Sequence, residues 1–156
     1  MKQFLLSGMV VLWLTACQQE PEKPIPALPD PPSFEKSYVD THNGYSEAVV
    51  ITSGNLKTIY VSGQIGEGAD LESQMRDALS KMERLLKGSG ANMKDVVKMN
   101  TYIVDYGAHS LDVFREVRKE LLGDSEMPAS TLVGVEALAL PEWLIEIEAI
   151  AVVEIQ

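Results

Sequence analysis

In 156 residues the chain carries 23 acidic against 13 basic side chains, a formal charge of −10, which argues against nucleic acid as a partner because Lys and Arg must neutralise phosphates there. Its single cysteine, Cys17, leaves no intramolecular disulfide, no thiolate nucleophile and no cysteine metal cluster to be expected. Two isolated histidines, His42 and His109, lack metal-ligand spacing, and no Walker A, G-x-G-x-x-G or G-x-S-x-G occurs, so neither a metal nor a cofactor is expected.

Lys2 precedes an apolar run from Phe4 to Leu14, which ends in Leu14-Thr15-Ala16-Cys17. The run is far short of the roughly 20 residues that span a bilayer. A positive start, a short apolar segment and small residues before a cut describe a secretory signal over residues 1–16. Leu-Thr-Ala-Cys matches the lipobox of bacterial lipoproteins, with Cys17 as the lipidated residue; an ordinary cleaved signal is the other reading. Each buried methylene contributes about 0.8 kcal/mol, so several acyl chains anchor durably to a membrane where one does not. Gln18, in place of Asp, resembles the pattern of outer-membrane lipoproteins, so the expected location is the cell envelope, lipid-anchored, with the domain in the periplasm. Residues 17–37 then hold six of the eight prolines and read as a semi-rigid tether favouring polyproline II.

Residues 38–156 are enough for one domain. Ala48 to Thr52 and Lys57 to Ser62 are short β-rich runs around Ser53-Gly54-Asn55, a hairpin signal. Asp70 is placed to cap a helix in which Leu71, Met75, Ala78, Leu79, Met82, Leu85 and Leu86 form one apolar stripe, stopped by Gly88 and Gly90. Val96 to Val104 reads as a strand with Val97, Met99, Thr101 and Ile103 on one face and Lys98, Asn100 and Tyr102 on the other. Ser110 is expected to cap a second helix with Leu111, Phe114, Val117, Leu121 and Leu122 as its stripe and Gly123 as its stop. Two strands close the chain, Ser130 to Val135 and Leu144 to Val153. The order β-β-α-β-α-β-β, with each helix apolar along a single stripe, predicts an α+β fold in which both helices cover one face of a mixed sheet. Along the last strand Ile145, Ile147, Ala149, Ala151 and Val153 then point at the helices, and Leu144, Glu146, Glu148, Ile150 and Val152 at the open face. Carboxylates mixed with large aliphatics on an open face suggest an oligomer interface with pockets at its seams.

The closing MPASTLVGV, Pro141-Glu142-Trp143 and LIEIEAIAVV, together with VSGQI (Val61 to Ile65) and GANMKDVVKMNTYIVD (Gly90 to Asp105) in that order, resemble the RidA/YjgF family, whose archetype hydrolyses reactive enamines and imines to ketones and ammonia. The resemblance implies a chorismate-mutase-like homotrimer with a small-molecule ligand in each inter-subunit cleft. It also implies site residues. Glu146, first glutamate of IEIEAIAV, matches the acid that positions the attacking water; a solvated or ion-paired carboxylate is the alternative reading. Tyr45 resembles an aromatic lining the cleft, against plain edge packing, and Ser62, Gly63 and Gln64 offer backbone amides to an anionic group, against a glycine needed only for packing. Ser130 and Thr131 are candidate ligand contacts, against hydroxyls that merely satisfy strand-edge groups. Where the archetype has Pro-Ala-Arg, an arginine that grips the substrate carboxylate, this chain has Pro128-Ala129-Ser130, and one neutral hydroxyl cannot replace a bidentate guanidinium. Two functions therefore stand at this point, a deaminase-like hydrolase of altered specificity and a non-catalytic ligand-binding or protein-protecting trimer.

Overall fold

The computed structural model describes residues 33–123 and 126–155. The chain divides into two units, Met1–Asp30 and Pro31–Gln156; the signal segment, Cys17 and most of the Pro-rich tether lie outside the described residues. The second unit is built as β1 (Phe34–Thr41), β2 (Ser46–Ser53), β3 (Leu56–Ile65), α1 (Leu71–Gly88), a 3₁₀ turn at Met93–Asp95, β4 (Val96–Val104), α2 (Ala108–Leu122), β5 (Ala129–Val135) and β6 (Ile145–Glu154). The strands form one six-stranded sheet in the order β1-β2-β3-β6-β4-β5. β4 and β5 run parallel, and the remaining neighbours are antiparallel. The α+β arrangement read from the sequence is present, enlarged by one strand.

That added strand is β1. The sequence reading placed residues 34–37 in the tether and gave the strand order as β-β-α-β-α-β-β, because proline density dominates the segment. The prolines end at Pro32, however, and Phe34 to Thr41 (FEKSYVDT) pairs antiparallel with β2, from Phe34 opposite Ser53 to Thr41 opposite Ser46. Seven of its eight residues are exposed, so ladder hydrogen bonds hold it rather than buried apolar area, and hydrophobic alternation gives little sign of such an edge strand.

The β2–β3 hairpin closes through Gly54-Asn55, with Ser53 opposite Leu56. Gly54 takes φ +58 at the first central position, the left-handed conformation that a two-residue II′-type loop requires there. In α1, Asp70 caps as expected: its carboxylate accepts from the Ser73 N–H at 2.8 Å, and the Ser73 hydroxyl accepts from the Asp70 N–H at 3.2 Å. Met75, Ala78, Leu79, Met82 and Leu86 are buried, and Leu71 and Leu85 pack at the margin. In α2 the cap differs from the expectation. Gly107 occupies the cap position and Ser110 lies three residues on, where its hydroxyl accepts from the Gly107 N–H at 3.3 Å; the serine still satisfies a helix-start donor, from inside the first turn.

The core lies between the helices and the face of the sheet that carries Ala48, Val50, Ile59, Val61, Ile145, Ile147, Ala149 and Ala151, with Phe114 and Val117 contributed by α2. Each large side chain buried there contributes about 1.5–3 kcal/mol. On β4 the expectation fails at one residue. Val97 is 48% exposed while Val96 is buried, because the ladder to β6 slips between Val96 and Lys98. This bulge turns Val97 out and gives Val96 the core position.

One buried polar side chain ties helix to sheet. Gln74 of α1 accepts the Leu144 N–H at 2.8 Å and donates to the carbonyls of Glu142 (2.9 Å) and Gly68 (3.2 Å). It thereby fixes the entry to β6. Gln74→Leu, which keeps the volume and strands the Leu144 N–H, is expected to cost about 1–3 kcal/mol in urea unfolding.

Candidate functional site

The face of the sheet away from the helices carries the candidate site. β6 alternates strictly, Ile145, Ile147, Ala149 and Ala151 buried and Glu146, Glu148, Ile150 and Val152 half-buried, so both glutamates share the open face as expected. Cross-strand register sets them in rows: Glu146 lies opposite Tyr102, Glu148 opposite Asn100, and Ile150 opposite Lys98. On the other flank the β3–β6 ladder slips between Val61 and Gln64. The bulge sets Ser62 and Gly63 across from Glu148 and brings Gly63 under the Glu146 side chain. A methyl group added to Gly63 would fall onto the Glu146 side chain, 2.6 Å from Cδ and 2.8 Å from Cγ. Glycine is thus what lets the carboxylate lie down over β3.

That position sets its electrostatics. Burial, and then the neighbouring Glu148 carboxylate, raise the Glu146 carboxyl above the ordinary value, as desolvation and a like charge both disfavour the anion. Glu148 has partners of its own: it accepts from Asn100 Nδ2 at 2.7 Å and from the Tyr102 hydroxyl at 3.2 Å. Burial, followed by Glu148, pushes the Tyr102 phenol up in turn, so it stays protonated and donating at neutral pH. Of the two carboxylates, Glu146 is the one left with no side-chain donor among the described residues, and hence the one able to act on a ligand or a water.

A second group of side chains borders the β3 bulge. Glu47 accepts from Gln64 Nε2 at 2.9 Å through one oxygen; its other oxygen lies 3.3 Å from the Tyr45 hydroxyl and 3.1 Å from His42 Nε2. Gln64 also reaches the Ser62 carbonyl at 3.1 Å, and the Ser62 hydroxyl donates to the Ser46 carbonyl at 2.6 Å. Tyr45, 54% exposed, is linked by these bonds to the strand turn that holds Glu146. Tyr45, Ser62, Gly63, Gln64 and Glu146 are therefore one connected neighbourhood. Their surroundings divide: the amide of Gln64 is buried and occupied in bonding, whereas Tyr45 is exposed and Glu146 half-buried.

Ser130 and Thr131 are separated. On the edge strand β5, Ser130 pairs with Met99 and Thr131 with Asn100. Ser130 thus shares the side of Leu132, which packs on the core, while Thr131 is on the open side. Within one chain they do not contact one ligand together, because adjacent strand residues face opposite ways. Thr131 Oγ1 accepts from Lys98 Nζ at 2.6 Å. Lys98, Asn100, Tyr102 and Glu47 were not among the residues singled out from the sequence, although β4's alternation already put the first three on one face.

Residues 35–153 match the family model described as Endoribonuclease L-PSP. A 2-iminobutanoate/2-iminopropanoate deaminase of Dermatophagoides farinae is 35% identical over 118 residues, covering 70% of this chain and 86% of the relative. The human protein of the same name is 31% identical over 117 residues, covering 69% and 79%. Among solved structures, a member of the YjgF/YER057c/UK114 family from Mycobacterium tuberculosis superposes with a TM-score of 0.66 at 34% identity, covering 76% of this chain and all (100%) of that one.

Proposed function

We propose, from the premise that this chain belongs to the Endoribonuclease L-PSP (RidA/YjgF) family, that it is a deaminase-like hydrolase acting on an enamine, an imine or a related small carbonyl derivative. Hydrolysis of a C=N bond needs a water held against the carbon and a proton for the leaving nitrogen. The observation that carries the reading is Glu146: a half-buried carboxyl on the open face, seated over Gly63, with its proton affinity raised. As carboxylate it orients the water and takes up its proton; protonated, it returns that proton to nitrogen. Tyr45 borders the ligand. The ribonuclease label in the family description does not fit a formal charge of −10.

The open face also presents Tyr60 beside Ile150 and Val133 beside Tyr102, 44% and 40% exposed. Such a face is best covered by further copies of the chain, and the proposed assembly is a homotrimer with the ligand at its seams. Lipidation at Cys17 would hold this trimer at the outer membrane, on the periplasmic side.

The test generates 2-iminobutanoate beside the purified full-length chain and follows keto-acid release against a carbonyl trap. Acceleration is the expected result. If none is seen, even with Ser130→Arg installed, hydrolysis of this substrate class is rejected in favour of a ligand-binding or protein-protecting trimer.

A further inference from the structure

A groove of about 370 Å³ crosses the open face, lined among others by Tyr60, Ser62, Lys98, Asn100, Glu148 and Ile150. Lys98 is the one cation among its lining residues. It has no carboxylate partner among the described residues, and its Nζ donates to Thr131 Oγ1 at 2.6 Å. An ammonium has three donors, so two remain for a ligand. Glu148, the carboxylate in the same groove, is held by Asn100 and Tyr102 and leaves the lysine's charge uncompensated.

Register measures how far this cation stands from the reacting position. Lys98 is opposite Ile150 and Glu146 opposite Tyr102, four residues apart and hence about 13 Å along the strands at roughly 3.3 Å per residue. The bond to Thr131, which is itself opposite Asn100, draws the ammonium one row along the strands but sideways toward β5, away from β6, so with neighbouring strands about 4.8 Å apart the gap to Glu146 stays on the order of 10 Å. An α-carboxylate, one bond from the C=N carbon, does not reach across that gap. A second carboxylate three or four atoms further along the ligand does.

We propose that Lys98, steadied by Thr131, is the anion-binding residue of this groove, and that the preferred ligand carries a carboxylate remote from its reacting carbon, as the imine of a dicarboxylic amino acid does. The inference rests on the hydrolase reading for where the reacting carbon lies. It accounts for a site that lacks the arginine for an α-carboxylate and yet keeps a cation in the adjoining groove.

Two unreactive keto acids separate the two ideas: 2-oxoglutarate, which has the remote carboxylate, and 2-oxobutanoate, which lacks it. Titrated calorimetrically into the full-length chain in mild detergent, 2-oxoglutarate is expected to bind about tenfold or more tightly, as suits one added charge-assisted hydrogen bond. Lys98→Met should abolish the preference and Lys98→Arg retain it, both with unchanged thermal unfolding. Equal affinities, or a preference that survives in a folded Lys98→Met, overturn the proposal. Should neither 2-iminobutanoate nor the imine of 2-oxoglutarate be hydrolysed while the binding preference still depends on Lys98, the hydrolase reading falls and the anion site stands. Should 2-iminobutanoate be hydrolysed with no preference for the longer acid, the converse holds.

Discussion

Glu146→Gln is expected to lower imine hydrolysis by about 10²- to 10⁴-fold, the range that a positioned general acid–base contributes. Glutamine keeps the size of the side chain and its place over Gly63 while removing the charge that orients water and the site that carries the proton. A loss smaller than tenfold would identify Glu146 as a bystander. The pH profile gives an independent reading. With the carboxyl raised by burial first and by Glu148 second, the rate should fall on acidification at a higher pH than an ordinary glutamate would dictate, and Glu148→Gln should move that acid limb back down. Stability runs the other way. In the unfolded chain the group titrates near 4.5, whereas the folded protein holds the proton to higher pH. The native state therefore binds more protons between those two values, and stability is lost as pH rises from about 4.5 through the folded pKa. Glutamine has no such ionisation. Glu146→Gln should thus be at least as stable as the parent at neutral pH in urea unfolding, an inactive variant that folds better, as expected where a group is kept for chemistry at a cost in stability.

How much of this was legible in the sequence depends on whether a feature obeys a period. The alternation of LIEIEAIAVV placed Glu146 and Glu148 on one face and Ile145 and Ile147 on the other, and the ladder agrees residue for residue. The Asp70 cap and the stripe of α1 were equally readable, because local hydrogen bonds and a 3.6-residue period decide them. Two bulges were not. A one-residue slip at Val96/Lys98 exchanges Val97 for Val96 in the core, and another at Val61/Gln64 brings Gly63 under Glu146; both depend on the partner strand, about which a local pattern is silent. The Lys98–Thr131 bond joins residues 33 positions apart through a parallel pairing. Nor could Ser130 be assigned a side before that pairing fixed which way β5 faces.

The second large effect distinguishes the two faces of β6. Ile147 is fully buried between β3 and β4, opposite Gln64 and Thr101, so Ile147→Ala should cost about 2–5 kcal/mol, the lost transfer energy plus the cavity left behind. That loss is intrinsic to one chain and should not vary with protein concentration. Ile150, three residues on, is half-buried on the open face beside Tyr60 and Lys98. If copies of the chain cover that face, Ile150→Ala removes apolar area from the contact between them rather than from the core. Its unfolding midpoint should then drop at low protein concentration and recover at high, since association stabilises by mass action. Sedimentation of the same variant should show smaller species at concentrations where the parent remains assembled. A concentration-independent loss at Ile150 as large as that at Ile147 would mean that the open face is packed within one chain, and the pockets proposed at subunit seams would have no seam to occupy.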